Sequence, residues 1–176
     1  MTRAMVFDAT PLIYLVRISL ANVLVKLSVP KFLSQDVYNE ILKGEDLGKP
    51  ESSVVRELVE TGKLQVRTPQ DPSFASRLIG LTAGDERKPL HRAEAEALAL
   101  AKELKGILIS DDRAARSVAK LVDVELHGTG YLLGRMYRDG YILKQEAATK
   151  LSEMRRAGWR LSEDDYRAVS EYLSNL

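Results

Sequence analysis

Cysteine is absent from this chain of 176 residues, and histidine occurs only twice, as His91 and His127. These absences remove disulfides, thiol nucleophiles and cysteine-based zinc sites, and they make a histidine-driven acid/base enzyme a poor fit. An excess of one charge is also missing. Lys and Arg number 26 against 25 Asp and Glu, a net charge of +1, so any affinity for nucleic acid must come from a local patch rather than from the whole surface. No hydrophobic run is long enough to span a membrane. The N-terminal stretch MTRAMVFDATPLIYLVRISL is broken by Asp8 and Arg17, and its continuation LANVLVKL ends at Lys26. No repeat or low-complexity tract is visible. The expectation is a cytoplasmic protein with no membrane contact, large enough to bury an ordinary core without staples.

Short apolar runs alternate with helical periodicity along the chain. AMVFD, PKFLS, KLQVR, ILIS and DVELH read as strands. Between them lie helical segments: PLIYLVRISL with Thr10 as N-cap and Pro11 in the first turn, SQDVYNEIL capped by Ser34, SSVVRELVETG stopped by Gly62, HRAEAEALALAKELKG, DRAARSVAKL and GYLLGRMYR. Thr68 to Pro89, rich in Pro, Gly, Asp and Ser, reads as a long loop. Such alternation predicts parallel strands joined by helical crossovers, with helices on both faces of the sheet. We place the main domain over residues 1–135 and a helical C-terminal extension, packed on the same domain, over 136–176.

The chemistry lies in the acids. Asp8 ends the first strand, and the doublet Asp111 and Asp112 follows ILIS. In a doubly wound sheet, ligands bind beyond the carboxyl ends of the strands. An N-cap needs only one Asp, so the doublet carries one carboxylate more than capping requires. In the helix from His91, the apolar stripe through Ala97, Leu98, Ala101 and Leu104 extends backwards onto Glu94, which therefore faces inward. Glu96 lies about 200° around the helix beside Glu103 and reads as part of a solvated face. Glu40, flanked by Val37 and Ile41, also sits at the edge of an apolar face. Two carboxylates about 5 Å apart repel by roughly 3 kcal/mol at an effective dielectric of about 20, so a convergent set of four requires a cation. Hard oxygen donors without His or Cys suit Mg²⁺ or Mn²⁺, and the natural reaction of such a site is phosphodiester hydrolysis.

The segments VFDATPLIYL with Asp8, VYNEI with Glu40, AEAEALALA with Glu94, LISDDRAAR with Asp112, and HGTGYLL resemble, in order and spacing, the PIN-domain ribonucleases, and among them the VapC-type toxins that share DD-x-x-AR and a following GT turn. The resemblance implies a three-layer α/β/α fold with a central parallel sheet and endonucleolytic cleavage of RNA. It implies a Mg²⁺ or Mn²⁺ site made by Asp8, Glu40, Glu94 and Asp112, with Asp111 as an alternative ligand. It also implies a protein antitoxin and a homodimer. The many Leu, Ile and Val of PLIYLVRISLANVLVKL, more than one buried stripe needs, point the same way.

Ser110, Arg113, Arg116 and Thr129 are candidate substrate contacts, Thr129 because HGTG at 127–130 offers backbone amides to a phosphate. His91 is an exposed helix-start residue, and Trp159, far along the extension from every acid, is a packing residue. Two other functions are weighed. A non-catalytic PIN-like module binding RNA or protein would not need all four acids. A phosphatase using Asp8 as nucleophile would need a second Asp two residues on, where Thr10 stands.

Overall fold

The computed structural model describes residues 2–83 and 89–176. Five parallel strands, β1 (Met5–Phe7), β2 (Lys31–Leu33), β3 (Gln65–Val66), β4 (Ile107–Ile109) and β5 (Glu125–His127), form one sheet in the order β3-β2-β1-β4-β5. Every residue of β1, β2 and β4 is buried, as expected of strands covered on both faces. Met5 pairs with Lys31 on one side and Ile107 on the other, which places the strand order's reversal between β1 and β4. The chain beyond these two strands stays locked together, because Asp8 N donates to Ile109 O at 3.0 Å. Asp8 and the Asp111–Asp112 doublet thus emerge side by side at the switch point.

Helix α1 (Ala9–Arg17) begins one residue after β1, and its N-cap is Asp8 rather than Thr10. After α2 (Ala21–Leu24), helix α3 (Gln35–Leu42) is capped by Ser34, whose Oγ accepts from Val37 N at 3.2 Å. Helix α4 (Pro50–Glu60) starts at a proline. The long-loop expectation holds only in part: α5 (Pro72–Gly80) lies within it, while residues 84–88 are outside the described residues. Asp71 caps α5 through the Ser73 and Phe74 amides, and Ala75 and Leu78 are buried where the helix packs on α6 (Arg92–Glu103).

Helix α6 contacts β1, β4, α3, α5 and α7 (Arg113–Leu121), and residues 95–101 are buried without exception. Enclosure on all sides removes the solvated face expected for Glu96 and Glu103. Glu96 is only 8% exposed, and its Oε2 accepts from Asp36 N at 3.1 Å, helping to cap α3. Glu103 accepts from Gln70 N at 2.7 Å. The wrong solvated face came from treating a central helix as a surface one.

The extension packs tightly. Helix α8 (Thr129–Arg138) contacts both α9 (Lys144–Arg156) and α10 (Glu163–Ser174). A Cβ at Gly130 would lie 2.4 Å from Val169 Cγ1, and one at Gly134 2.5 Å from Tyr172 Cε1. The two glycines, one helical turn apart, let α10 approach the α8 backbone. The apolar N-terminal helices are largely satisfied within the chain, with Leu12, Leu15, Ile18, Leu20, Leu24 and Leu27 all buried. No described helix is long and apolar enough to cross a membrane.

Candidate metal centre

A cavity of about 370 Å³ opens at the switch point, and Asp8, Glu40, Glu94 and Asp112 all line it. They arrive from four elements: the end of β1, helix α3, the first turn of α6 and the end of β4. The four share one cavity, as their strand-end and inward-facing positions lead one to expect, but no three acids among the described residues lie close enough to enclose an ion; Glu96 stays outside the cavity, for the reason of burial given above.

Asp8 is the most enclosed of the four, at 6% exposure. Its Oδ1 accepts from Ala9 N at 2.7 Å, and its Oδ2 accepts from Ser110 Oγ at 2.7 Å. Burial, reinforced by the Glu94 and Glu40 carboxylates and opposed by these two donors, pushes Asp8 up to about 7. Glu94 is raised as well, first by burial and then by the neighbouring Asp112 and Glu40 carboxylates. Its Oε2 is buried without a hydrogen-bond partner among the described residues. Glu40 is exposed at the mouth of the cavity. Asp112 caps α7, its Oδ1 accepting from Ala115 N at 2.7 Å, and its other oxygen accepts nothing from the protein among the described residues.

Ser110 is fully buried and does not contact substrate space directly; it positions two acids, donating to Asp8 and accepting from Asp112 N at 3.1 Å. Asp111 differs from Asp112. Its Oδ1 accepts from Thr129 N at 2.8 Å, and its Oδ2 from Thr129 Oγ1 at 2.6 Å and Trp159 Nε1 at 2.8 Å. It therefore ties the end of β4 to the start of α8 and to Trp159; both acids line the cavity, but both Asp111 oxygens are spent on these bonds, whereas Asp112 keeps an oxygen without a partner among the described residues. The same bonds correct two other expectations. Thr129 is wholly buried and spent on Asp111, so it is not a substrate contact, and Trp159 is a packing residue but lies against an acid rather than far from all of them. Gly128 is required here, since a Cβ would meet Asp111 Oδ1 at 2.7 Å.

Arg113 and Arg116 line a second, larger cavity instead of the acidic one, and Arg113 pairs with Asp165 at 3.4 Å. His91 is exposed at the N-cap of α6. The residues that sequence reasoning missed are Arg17 and Arg160. Both line the acidic cavity. Arg17 is held by an ion pair through Nε to the buried Glu51, by a bond from Nη1 to Ala157 O at 3.3 Å, and over the Tyr14 ring. A signal for it was present: Thr10, Ile13, Tyr14 and Arg17 recur at helical spacing on the face of α1 that lines the cavity. No comparable local signal marks Arg160.

The donor set suits a hard divalent cation. It is all carboxylate oxygen, burial and mutual repulsion raise the proton affinity of Asp8 and Glu94, and it includes one buried oxygen with no partner among the described residues. Among the described residues no three His, Cys, Asp or Glu side chains are already gathered closely enough to enclose an ion. Mutual repulsion, and the hydrogen bonds that hold Asp8 and Asp112, account for carboxylates that share a cavity without closing on one point.

Residues 4–175 match the DUF3368 family model, described as a PIN domain. Among solved structures, the chain is similar to the crystal structure of PAE2754 from Pyrobaculum aerophilum, with a TM-score of 0.54 at 15% identity over 78% of this chain and 99% of that one. No curated protein matches by sequence.

Proposed function

The chain belongs to the PIN-domain family, a nuclease-type fold, and from that premise we propose that it is a Mg²⁺- or Mn²⁺-dependent endoribonuclease. The observation that carries the reading is the gathering of Asp8, Glu40, Glu94 and Asp112 into one cavity. A fold has no need of it: Glu94 Oε2 is buried and unbonded among the described residues, and burial, with the Glu94 and Glu40 charges added, holds Asp8 near 7, a cost that a cation or a proton relieves.

Asp8, Glu94 and Asp112 would hold the ion, with Glu40 closing from the mouth. A bound divalent ion supplies an ionised water at neutral pH and neutralises charge on the leaving oxygen. The protein's own side chains do the rest. Ser110 orients Asp8 by donating to it and fixes the start of α7 by accepting from Asp112 N, so both acids point from one rigid corner. Asp8 would hold the ion as its carboxylate, releasing its proton to solvent. Arg17, fixed by Glu51, and Arg160 lie at the cavity wall, where a phosphodiester's charge would be met.

A toxin role, held in check by a protein antitoxin in the cytoplasm, belongs to the same proposal and is supported by the DD-x-x-AR and GT segments. So does a homodimer through the N-terminal helices, where Val16, Val23 and Val25 stay half-buried; light scattering that shows a strict monomer at micromolar concentration would remove it. The deciding experiment incubates purified protein with mixed RNA in Mn²⁺ or in EDTA and maps the cleaved ends. Cleavage should require the metal and be abolished in Asp112→Asn. Calorimetric binding of Mn²⁺ without any cleavage would favour the non-catalytic binding module instead.

A further inference from the structure

A second cavity of about 1410 Å³ adjoins the acidic one and shares Asp111, Asp112, Trp159 and Arg160 with it. Its size exceeds the roughly 300–1,000 Å³ of ordinary small-molecule sites. On one bank stand α7 and the β5–α8 turn, and on the other the first turns of α10.

The two banks differ in charge. Arg116 on α7 and Arg138 on α8 have no carboxylate within ion-pair distance among the described residues, and neither has Arg160 at the junction. The α10 bank carries Asp164 and Asp165. Between the arginines lies an aromatic stack, with His127 and Tyr131 at a centroid separation of 4.1 Å and an interplanar angle of 11°. Glu125 fixes the imidazole at 2.7 Å, and the Arg138 guanidinium lies 5.7 Å over the Tyr131 ring. Cations that follow a groove, interleaved with planar rings, are what a single-stranded polynucleotide requires: charge for its backbone and a stacking surface for its bases.

We infer that the single-stranded RNA flanking the scissile phosphate is held in this second groove, its phosphates on Arg116, Arg138 and Arg160 and a base against the His127–Tyr131 stack. The inference rests on the nuclease reading for the identity of the strand. On the α10 bank Asp165 is drawn across to Arg113 at 3.4 Å and Asp164 to Arg167 at 4.0 Å, so the arginines left without a carboxylate partner lie along α7, α8 and the junction, and the strand follows that side. Passing Asp112 and Arg160, it reaches the acidic cavity without crossing any other part of the surface.

The test measures binding in EDTA, where no cleavage competes, by fluorescence anisotropy of labelled oligoribonucleotides two and eight nucleotides long. The eight-mer should bind at least about tenfold tighter than the dinucleotide, and Arg116→Glu and Arg138→Glu should each weaken it by about tenfold, lowering the log–log salt slope by about 0.7 for each phosphate no longer neutralised. Thermal melting checks the fold of each variant, and Arg116→Gln and Arg138→Gln serve if a reversed charge disturbs it. An eight-mer carrying 4-thiouridine should cross-link to His127 or Tyr131. Unchanged affinity in folded variants, cross-links mapping to α4 or α5, or no binding by the wild type overturns the inference. The nuclease reading is read separately, from Mn²⁺-dependent hydrolysis of bis(p-nitrophenyl) phosphate by the wild type, an ester small enough to need only the acidic cavity. Hydrolysis with indifferent arginine variants sinks the groove alone; groove-dependent binding without any metal-dependent hydrolysis sinks the nuclease alone.

Discussion

Replacing Asp8 by Asn separates a metal-site acid from a capping acid by the sign of a stability change. A carboxyl moved from 3.8 to about 7 by burial and by its acidic neighbours costs the folded state about 4 kcal/mol once both states are ionised, at 1.36 kcal/mol per pH unit. Because the folded value lies above the unfolded one, the stability concerned is fully present below about pH 4 and is lost as pH rises through 7. The Asn side chain keeps an oxygen for Ala9 N but turns an N–H toward Ser110 Oγ, and the loss of that neutral hydrogen bond costs about 1–2 kcal/mol at either pH. The variant should therefore be more stable than the wild type by about 2 kcal/mol at pH 8 in EDTA, and equal or weaker by about 1–2 kcal/mol near pH 4. With a slope of about 2 kcal/mol per molar urea, its midpoint should lie about 1 M higher at pH 8. Mn²⁺ should raise the wild-type midpoint at pH 8 and leave the variant nearly unmoved. Urea titrations of both proteins at pH 4 and pH 8, with EDTA and with Mn²⁺, check each part. A variant that unfolds more easily by the same amount at both pH values would show that Asp8 is only the cap of α1.

Asp111→Ala removes the acceptor of three hydrogen bonds and should cost about 2–4 kcal/mol in urea unfolding. Asp112→Ala loses one capping bond and should cost only about 1 kcal/mol while abolishing Mn²⁺ binding by calorimetry; if the two variants exchange these outcomes, the assignment within the doublet is wrong. Gly128→Ala, with its new methyl 2.7 Å from Asp111 Oδ1, should lower stability by about 1–3 kcal/mol, and a thermal midpoint equal to the wild type would refute the close approach. Glu51→Gln leaves Arg17 without its buried counter-charge and should reduce RNA cleavage more than Mn²⁺ affinity; equal losses in both would place Arg17 in the ion's site rather than the substrate's.

Local chemistry was legible in the sequence wherever the deciding contacts lie within a helical turn. The apolar runs of β1, β2 and β4, the capping of α3 by Ser34 and the inward position of Glu94 all follow from local composition and spacings of three or four residues. An acid at the end of a buried strand is enough to place it at the ligand-binding edge of a parallel sheet, so Asp8 and Asp112 could be brought together before any coordinates. What the sequence left open turns on contacts made at long range. Asp111 and Asp112 are indistinguishable locally; they part because Thr129, 18 residues on, and Trp159, 48 residues on, both bond to Asp111. Arg17 faces the cavity under the hold of Glu51, 34 residues away. Glu96 has the spacing of a surface residue but is buried, because α6 is covered by the sheet and by α3, α5 and α7 together. Periodicity reports that a helix has an inner and an outer face, and only the packing of the whole chain decides whether the outer face is left to water.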